Sequence, residues 1–338
     1  MLDAAEVLLG SIRRACGVSS YRCETVAFVL PSVPEAGKRL VRDMGWKVME
    51  KDLPVLVEDI RNKAYAKFVV NSGCCGANEF IKLHSYTLTQ YHRVVHLDVD
   101  TLLMHPIDEL MDSEASLVYT TDPAMAMAGQ RVAPIQGGFL LVNPDMAVYE
   151  ALCEVVREAS RRGETFGNWR QGFGWGESGI GWFYGGATVQ GLLPYFYNVL
   201  APGTALEVDR CVYNNMCDCE KCRSAKYTVT TTLQKPKPSG SKRVVTIDEN
   251  LRGEGAMERG GINSSSGEDA ASSVPIKSVH FTQQCPKPWL CAGSGRHKES
   301  ACADLQRRWS EGRRAVFAAK GLPFKDMCSD GHYVTIPR

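Results

Sequence analysis

The sequence predicts an α/β protein: a wound sheet with helices packed on it. Three observations carry that reading. Short β-branched runs alternate with helical patterns through the first 150 residues. The run Arg93-Val-Val-His-Leu-Asp-Val-Asp100 is apolar at its start and acidic at its end, as suits a central parallel strand that emerges into a site. The chain has 338 residues, 44% hydrophobic and 23% charged, which is enough to enclose a sizeable core.

The elements follow in order. The N-terminal segment 1–17 reads as an amphipathic helix with Ala4, Val7, Leu8 and Ile12 on one face. Thr25–Leu30 is a buried strand ended by Pro31. Glu35–Met44 is a helix that Gly45 caps, and Trp46–Glu50 alternates as a second strand. Asn78–Gln90, with Phe80, Leu83, Tyr86 and Leu88, reads as a helix. Leu117–Thr121 and Phe139–Val142 are strands, and Met146–Arg161 is a helix. Gly163–Gly191 is rich in glycine and aromatic residues. There Trp169, Trp175, Trp182 and Tyr184 either pack a long loop or offer flat faces on which a sugar stacks. Lys, Pro, Gly, Ser and Glu dominate 223–273, which reads as a disordered insertion. Ser278–Thr282 is a short strand, and a helix around Ser300–Lys320 closes the chain.

The formal net charge of +1 gives no broad field for nucleic acid or an anionic membrane. No apolar run reaches the roughly 18 residues of a transmembrane helix. The N-terminus lacks the basic start and apolar centre of a signal peptide.

The 13 cysteines are an odd number and crowd into the second half: Cys211, Cys217, Cys219, Cys222, Cys285, Cys291, Cys302 and Cys328. Disulfides formed in a secretory lumen (Golgi or ER) explain that density, and Asn263-Ser264-Ser265 fits an N-glycosylation acceptor. A cytosolic chain with free thiols is the alternative, as is structural zinc on Cys211, Cys217, Cys219 and Cys222.

Asp98-Val99-Asp100 is the first candidate for chemistry. At the strand end the chain turns, and both carboxylates can then converge on one hard cation. Such a cation would offset charge on a leaving diphosphate. An Asp-x-Asp occurs about once by chance in a chain this long, and its plain reading is a solvated strand end. The apolar strand that leads into the pair separates it from that background. His280, in Val279-His-Phe-Thr282, is either a satisfied core histidine or the imidazole that completes a carboxylate metal site. Lys287, held by Pro288, is either a solvated loop lysine or a point charge for a phosphate.

Read together, Phe80-Ile-Lys82-Leu83, Tyr91 through Leu103, and His280…Lys287-Pro-Trp289 resemble the glycogenin-like family-8 glycosyltransferases. Gln136-Gly-Gly-Phe-Leu-Leu-Val-Asn-Pro144, Trp182-Phe-Tyr-Gly-Gly…Gln190-Gly-Leu-Leu193 and Arg210-Cys-Val-Tyr-Asn-Asn-Met216 look like the family's later segments. The similarity spans most of 1–216 and 276–292. It implies a single nucleotide-diphospho-sugar transferase domain over 1–338, of GT-A type, with a Rossmann-like, mostly parallel sheet flanked by helices. Within it, 276–338 would complete the site. It further implies a retaining enzyme that moves a glucose-type hexose from a uridine-diphosphate sugar with Mn²⁺ (or Mg²⁺) to a glycan, protein or lipid acceptor.

Carried over, Asp98 touches ribose and metal, and Asp100 and His280 complete the metal ligands. Lys287 binds the diphosphate, and Lys82 lies near the phosphates and the donor sugar. Asp122, Gln136 and Gly137 take donor-contact positions, and Gln190 lies beside the anomeric carbon.

The chain also departs from the pattern. The family's first strand, which carries nucleotide-base contacts, would precede the N-terminal helix. The His280–Lys287 spacing is seven rather than six, with Gln283 in place of a glycine, so a displaced loop is expected. His84 stands where an arginine is common. Val189 stands where many members have aspartate. A relative that binds a nucleotide sugar or glycan without turnover is therefore the competing expectation.

Overall fold

The computed structural model describes residues 2–126, 132–159, 174–176, 178–218, 222, 275–282, 285–291 and 301–338. The proposed insertion 223–273, the Asn263 acceptor, Trp169, Cys219 and Gln283 lie outside them.

The N-terminal helix forms as its pattern requires. Helix α1 (Leu2–Cys16) buries Ala4, Val7 and Leu8, and Ile12 is half-buried. Next come strand β1 (Val26–Val29), helix α2 (Glu35–Met44) and strand β2 (Lys47–Glu50). The two strands pair in parallel, with α2 as the crossover that parallel pairing needs. Gly45 ends α2 with φ 102°, and its N–H donates to the carbonyl of Arg42. A side chain would strain that backbone. Helix α3 (Lys63–Val69) starts at Asn62, whose side-chain oxygen accepts from the N–H groups of Ala64 and Tyr65, both at 3.1 Å.

The segment expected as an α-helix over Asn78–Gln90 is instead a run of 3-10 turns, Gly76–Thr87. Its apolar residues show why: Phe80, Leu83 and Tyr86 recur every third position and are all buried. A period of three stacks them on one face of a three-residue turn. The same period eclipses Glu79 and Lys82 on another face.

The central sheet has the order β3-β6-β5-β7, with β3 Val94–Leu97, β5 Leu117–Thr121, β6 Ile135–Val142 and β7 Ala205–Glu207. Strand β5 is parallel to β7, while β6 runs antiparallel to both β3 and β5. A second pairing joins β4 (Thr101–Leu103) antiparallel to β8 (Ser278–His280). The class is α/β with a parallel-containing sheet and helices, as expected. The pairing is mixed where the sequence predicts mostly parallel strands, and β3 pairs with an antiparallel neighbour. No helical crossover stands between β5 and β6 among the described residues, only the short turn Pro123–Met125. Without a crossover, an adjacent strand returns antiparallel.

The helices Met146–Glu158 and Val189–Tyr195 join the 3-10 run and β6 around one core that includes Phe80, Tyr86, Leu152 and Leu192. A second core gathers Val7, Leu102, Val279, Phe281 and Trp309. It ties α1, β4 and β8 to the C-terminal helix Ala301–Ala319. Val279 and Phe281 are fully buried, each stabilising by about 1.5–3 kcal/mol. That burial fixes the strand that carries His280. Among the described residues, no helix is long and apolar enough to cross a membrane.

Among the described residues four disulfides form: Cys16–Cys23, Cys211–Cys222, Cys285–Cys302 and Cys291–Cys328. The second takes two of the four sulfurs that a zinc site on Cys211, Cys217, Cys219 and Cys222 needs, so that zinc reading is corrected. The last two disulfides brace the loop of Lys287 against the C-terminal part.

His84 is buried, and its Nε2 lies 2.8 Å from the carbonyl of Asp52. Burial lowers its pKa from the ordinary histidine value, against the opposing effect of that carbonyl. On acidification the unfolded chain therefore binds the proton first. The stability that neutral His84 contributes is present above about pH 6.5 and is lost as the pH falls below it. Thermal unfolding at pH 7.5 and 5.5 is expected to show a lower midpoint at pH 5.5. The drop should be smaller in His84→Gln; an equal drop in the variant would refute the assignment.

Candidate active site

Strand β3 delivers Asp98 and Asp100 to the seam between the two sheets. The chain turns after Leu97, with Thr101 N–H donating to the Asp98 carbonyl at 3.0 Å, and enters β4. In the β4–β8 register Thr101 faces His280, and Phe281 N–H donates to the Asp100 carbonyl at 2.9 Å. Two backbone pairings thus place His280 beside Asp100 across 180 positions of sequence. Asn215 locks the arrangement. Its N–H donates to Ser278, its carbonyl accepts from His280 N–H, both at 2.9 Å, and its side-chain amide donates to Cys211 and Cys222.

The side chains then converge. Ligand atoms of Asp98, Asp100 and His280 all lie within 4.8 Å of one another. His280 Nε2 is 3.3 Å from Asp100 Oδ1, and Lys287 Nζ is 2.6 Å from Asp100 Oδ2. Lys287 thus stands at Asp100 with the extra residue present, while Gln283, where a displaced loop is expected, lies outside the described residues. Lys82 Nζ is 2.9 Å from Asp98 Oδ1 and 2.8 Å from Glu79 Oε2, and it donates to the Gly137 carbonyl at 3.3 Å. His96, two residues before Asp98 on the same face of β3, lies 3.2 Å from its Oδ1.

The electrostatics follow from these contacts. Burial acts to raise the Asp98 carboxyl, but Lys82 and then His96 outweigh it and hold the group below the usual carboxylate range. Burial likewise opposes ionisation of Asp100, and His280 and Lys287 outweigh it. Both carboxylates are therefore charged at neutral pH, and two ammonium groups stand on them.

Gly137 and Gly138 of β6 form the floor. A Cβ on Gly137 would lie 3.1 Å from Lys82 Nζ and 3.9 Å from Gln190 Cγ, so this bare backbone is where Lys82 and Gln190 approach. Gln190, at the start of the helix Val189–Tyr195, is half-buried. A Cβ on Gly138 would stand 2.4 Å from His280 Cε1 and 2.5 Å from its Nδ1. The imidazole occupies the volume of that missing side chain. Gly138→Ala is expected to push the ring off its place and cost about 1–3 kcal/mol, measured by urea unfolding. An unchanged midpoint with unchanged metal affinity would refute this packing.

Two further sequence candidates sit differently. Gln136 is buried, and its amide is engaged locally: Oε1 accepts from Gly138 N–H at 3.0 Å, and Nε2 lies 3.7 Å from Met216 Sδ. Asp122 is buried at the end of β5 and caps the turn that follows, accepting from Ala124 N–H at 3.2 Å. Burial and then the Asp218 charge raise its pKa, against Arg210 and His280. Sequence reasoning missed Glu79, His96 and Gly138. The first two were legible as an i,i+3 pair with Lys82 and a same-face partner of Asp98.

The donor set suits a divalent cation. Two carboxylates and an imidazole are side chains that such a cation takes as ligands, and those of Asp98, Asp100 and His280 are close enough to share one. His280 Nδ1 is buried without a partner among the described residues, so the ring's polar contact is made by Nε2, on the side of Asp100.

No protein-family model and no curated protein matches this sequence. Among solved structures the chain is similar to an active-site mutant of LgtC, with TM-score 0.49, 15% identity, and 93% of this chain and 92% of that one covered. It is similar to mouse xyloside xylosyltransferase 1 in its apo form, with TM-score 0.35, 15% identity, and 64% and 82% covered. The WbbM bifunctional glycosyltransferase gives TM-score 0.44 and 15% identity, with 92% of this chain and 47% of that one covered.

Proposed function

We propose that the chain is a retaining glycosyltransferase of GT-A type. It would move a glucose-type hexose from a uridine-diphosphate sugar to a glycan, protein or lipid acceptor with Mn²⁺ (or Mg²⁺). The observation that carries this reading is the meeting of two carboxylates, one imidazole and two ammonium groups at one strand end. Asp98, Asp100 and His280 would hold the cation. When bound, the cation would offset negative charge on the diphosphate leaving group. Lys287 and Lys82 would supply further positive charge. Lys287, whose side chain is 42% exposed, can turn from Asp100 to a phosphate. Lys82 is anchored by Glu79 and Asp98 and acts in place. Asp98 would also meet the ribose. Asp122, Gln136 and Gly137 are assigned to the donor side.

Gln190 lies where Lys82 meets Gly137, so we place it beside the anomeric carbon. An amide is a poor nucleophile, and Val189 is fully buried and apolar. The two-carboxylate scheme of retaining hydrolases thus has no nucleophile in this segment. We infer same-face attack through an oxocarbenium-like state. The bond from the anomeric carbon to the phosphate oxygen breaks, the acceptor oxygen bonds on the same face, and the departing phosphate takes the acceptor's proton. The protein contributes position and electrostatics. A covalent sugar adduct trapped on a side chain would contradict this route.

The domain reading is one transferase unit over 1–338, with 276–338 completing the site through His280 and Lys287. The disulfides fit an oxidising lumen.

The test is hydrolysis of a panel of uridine-diphosphate sugars with Mn²⁺, with and without chelator. Chelator-sensitive release of uridine diphosphate supports the transferase and names the donor. Donor binding without release moves the reading to a turnover-deficient binding relative.

A further inference from the structure

Away from Asp98, Asp100 and His280, one other group of ligating side chains converges among the described residues. Cys74 and Cys75 sit between two left-handed glycines, Gly73 at φ 63° and Gly76 at φ 60°. Gly76 N–H donates to the Ser72 carbonyl at 2.9 Å. A Cβ on Gly76 would lie 2.1 Å from the Val70 oxygen, so this turn depends on glycine. The turn brings the two sulfurs within 3.1 Å of each other. Glu79, one 3-10 turn past Gly76, holds Oε1 3.2 Å from Cys74 Sγ. Ligand atoms of all three residues lie within 4.8 Å of one another. Both thiols are free, and both cysteines are exposed. Burial and then the Glu79 charge push the Cys74 thiol up, and burial pushes Cys75 up. Three groups that can each carry negative charge crowd one small volume.

We propose that Cys74, Cys75 and Glu79 form a thiolate–carboxylate site for a divalent cation of the zinc class. Two sulfurs and one oxygen are a softer set than two aspartates and a histidine, so the two sites select different metals. Binding exchanges two thiol protons for two metal–sulfur bonds and releases both protons to solvent. Tetrahedral bonds of about 2.3 Å put the sulfurs about 3.8 Å apart, which small side-chain rotations supply. Exposure leaves the fourth position to water. Glu79 also pairs with Lys82 at 2.8 Å, so an ion here draws that carboxylate away from Lys82. The site stands independently of the transferase reading, because its readout is a sulfur-to-metal absorption.

The experiment is titration of the full chain, disulfides intact, with Cd²⁺ in saturating Mg²⁺, following ultraviolet sulfur-to-metal charge transfer and proton release. One equivalent with two protons released is expected. The band should survive in Asp100→Asn and disappear in Cys74→Ser/Cys75→Ser. Glu79→Gln should keep the band with affinity weakened about tenfold or more. No band in the wild-type protein overturns the proposal, as does a band undiminished in the double variant. Alkylation mapping of the wild-type protein gives a check that needs no variant. Cd²⁺ should protect the peptide with Cys74 and Cys75, and equal labelling with and without Cd²⁺ overturns the site.

Discussion

Asp100→Asn is expected to reduce metal-dependent release of uridine diphosphate by at least about 100-fold, or roughly 3 kcal/mol of transition-state stabilisation. The substitution keeps the shape of the side chain and removes its charge. That charge organises half of the site: Oδ1 faces His280 at 3.3 Å and Oδ2 faces Lys287 at 2.6 Å. An amide is a weak ligand for a hard cation, so the metal-dependent part of the rate is lost with it. The fold is expected to tolerate the change. Asp100 is held by backbone bonds through Phe281, and Lys287, being 42% exposed, is solvated when its partner is neutral. The unfolding free energy should fall by no more than about 1 kcal/mol. The two measurements discriminate. Activity above a tenth of wild type would remove Asp100 from the metal site. Large destabilisation alongside lost activity would make its role structural.

The candidate residues were legible in the sequence only in parts. Asp98 and Asp100 stood out because an apolar strand leads into them, and strand ends are read from local pattern. His280 stood out because it lies in a short apolar run. What joins them was not legible. The β4–β8 register sets Thr101 opposite His280, and no local pattern encodes a pairing across 180 positions. The mixed order of the central sheet was hidden for the same reason. The 3-10 run was partly legible: Phe80, Leu83 and Tyr86 have a period of three, but a helix of 3.6 residues per turn accepts the same positions. Disulfide partners followed from neither spacing nor count, since many connectivities are open to 13 cysteines. Gly138 was the hardest to see. Its significance lies in the imidazole that fills its missing side chain, a fact about space rather than sequence.

Lys82→Met is expected to cost about 3 kcal/mol of stability at neutral pH and to abolish donor turnover. The Lys82 side chain is only 10% exposed, and it neutralises Glu79 at 11% and Asp98 at 26%. Methionine fills the stem but strands two carboxylates in a partly dry site, the costly way to break a buried pair. Burial acts to lower the Lys82 pKa, but Asp98 and Glu79 outweigh it and push the ammonium well up, so the lysine is charged in the fold. The pH dependence separates this cause from lost packing. Lys82 helps hold the Asp98 carboxyl below its unfolded value. The stability from that depression is present above about pH 4 and is lost as the pH falls toward the folded value. In the variant, burial is no longer offset by Lys82, and protonation of the carboxylates relieves their repulsion. The gap between wild type and variant should therefore narrow as the pH is lowered from 7 to 3, read by urea unfolding at each pH. Lys82→Arg, which restores the charge, should recover much of the stability at pH 7. A gap independent of pH, or equal in the arginine variant, would mean that Lys82 acts through packing alone and that Asp98 does not depend on its charge.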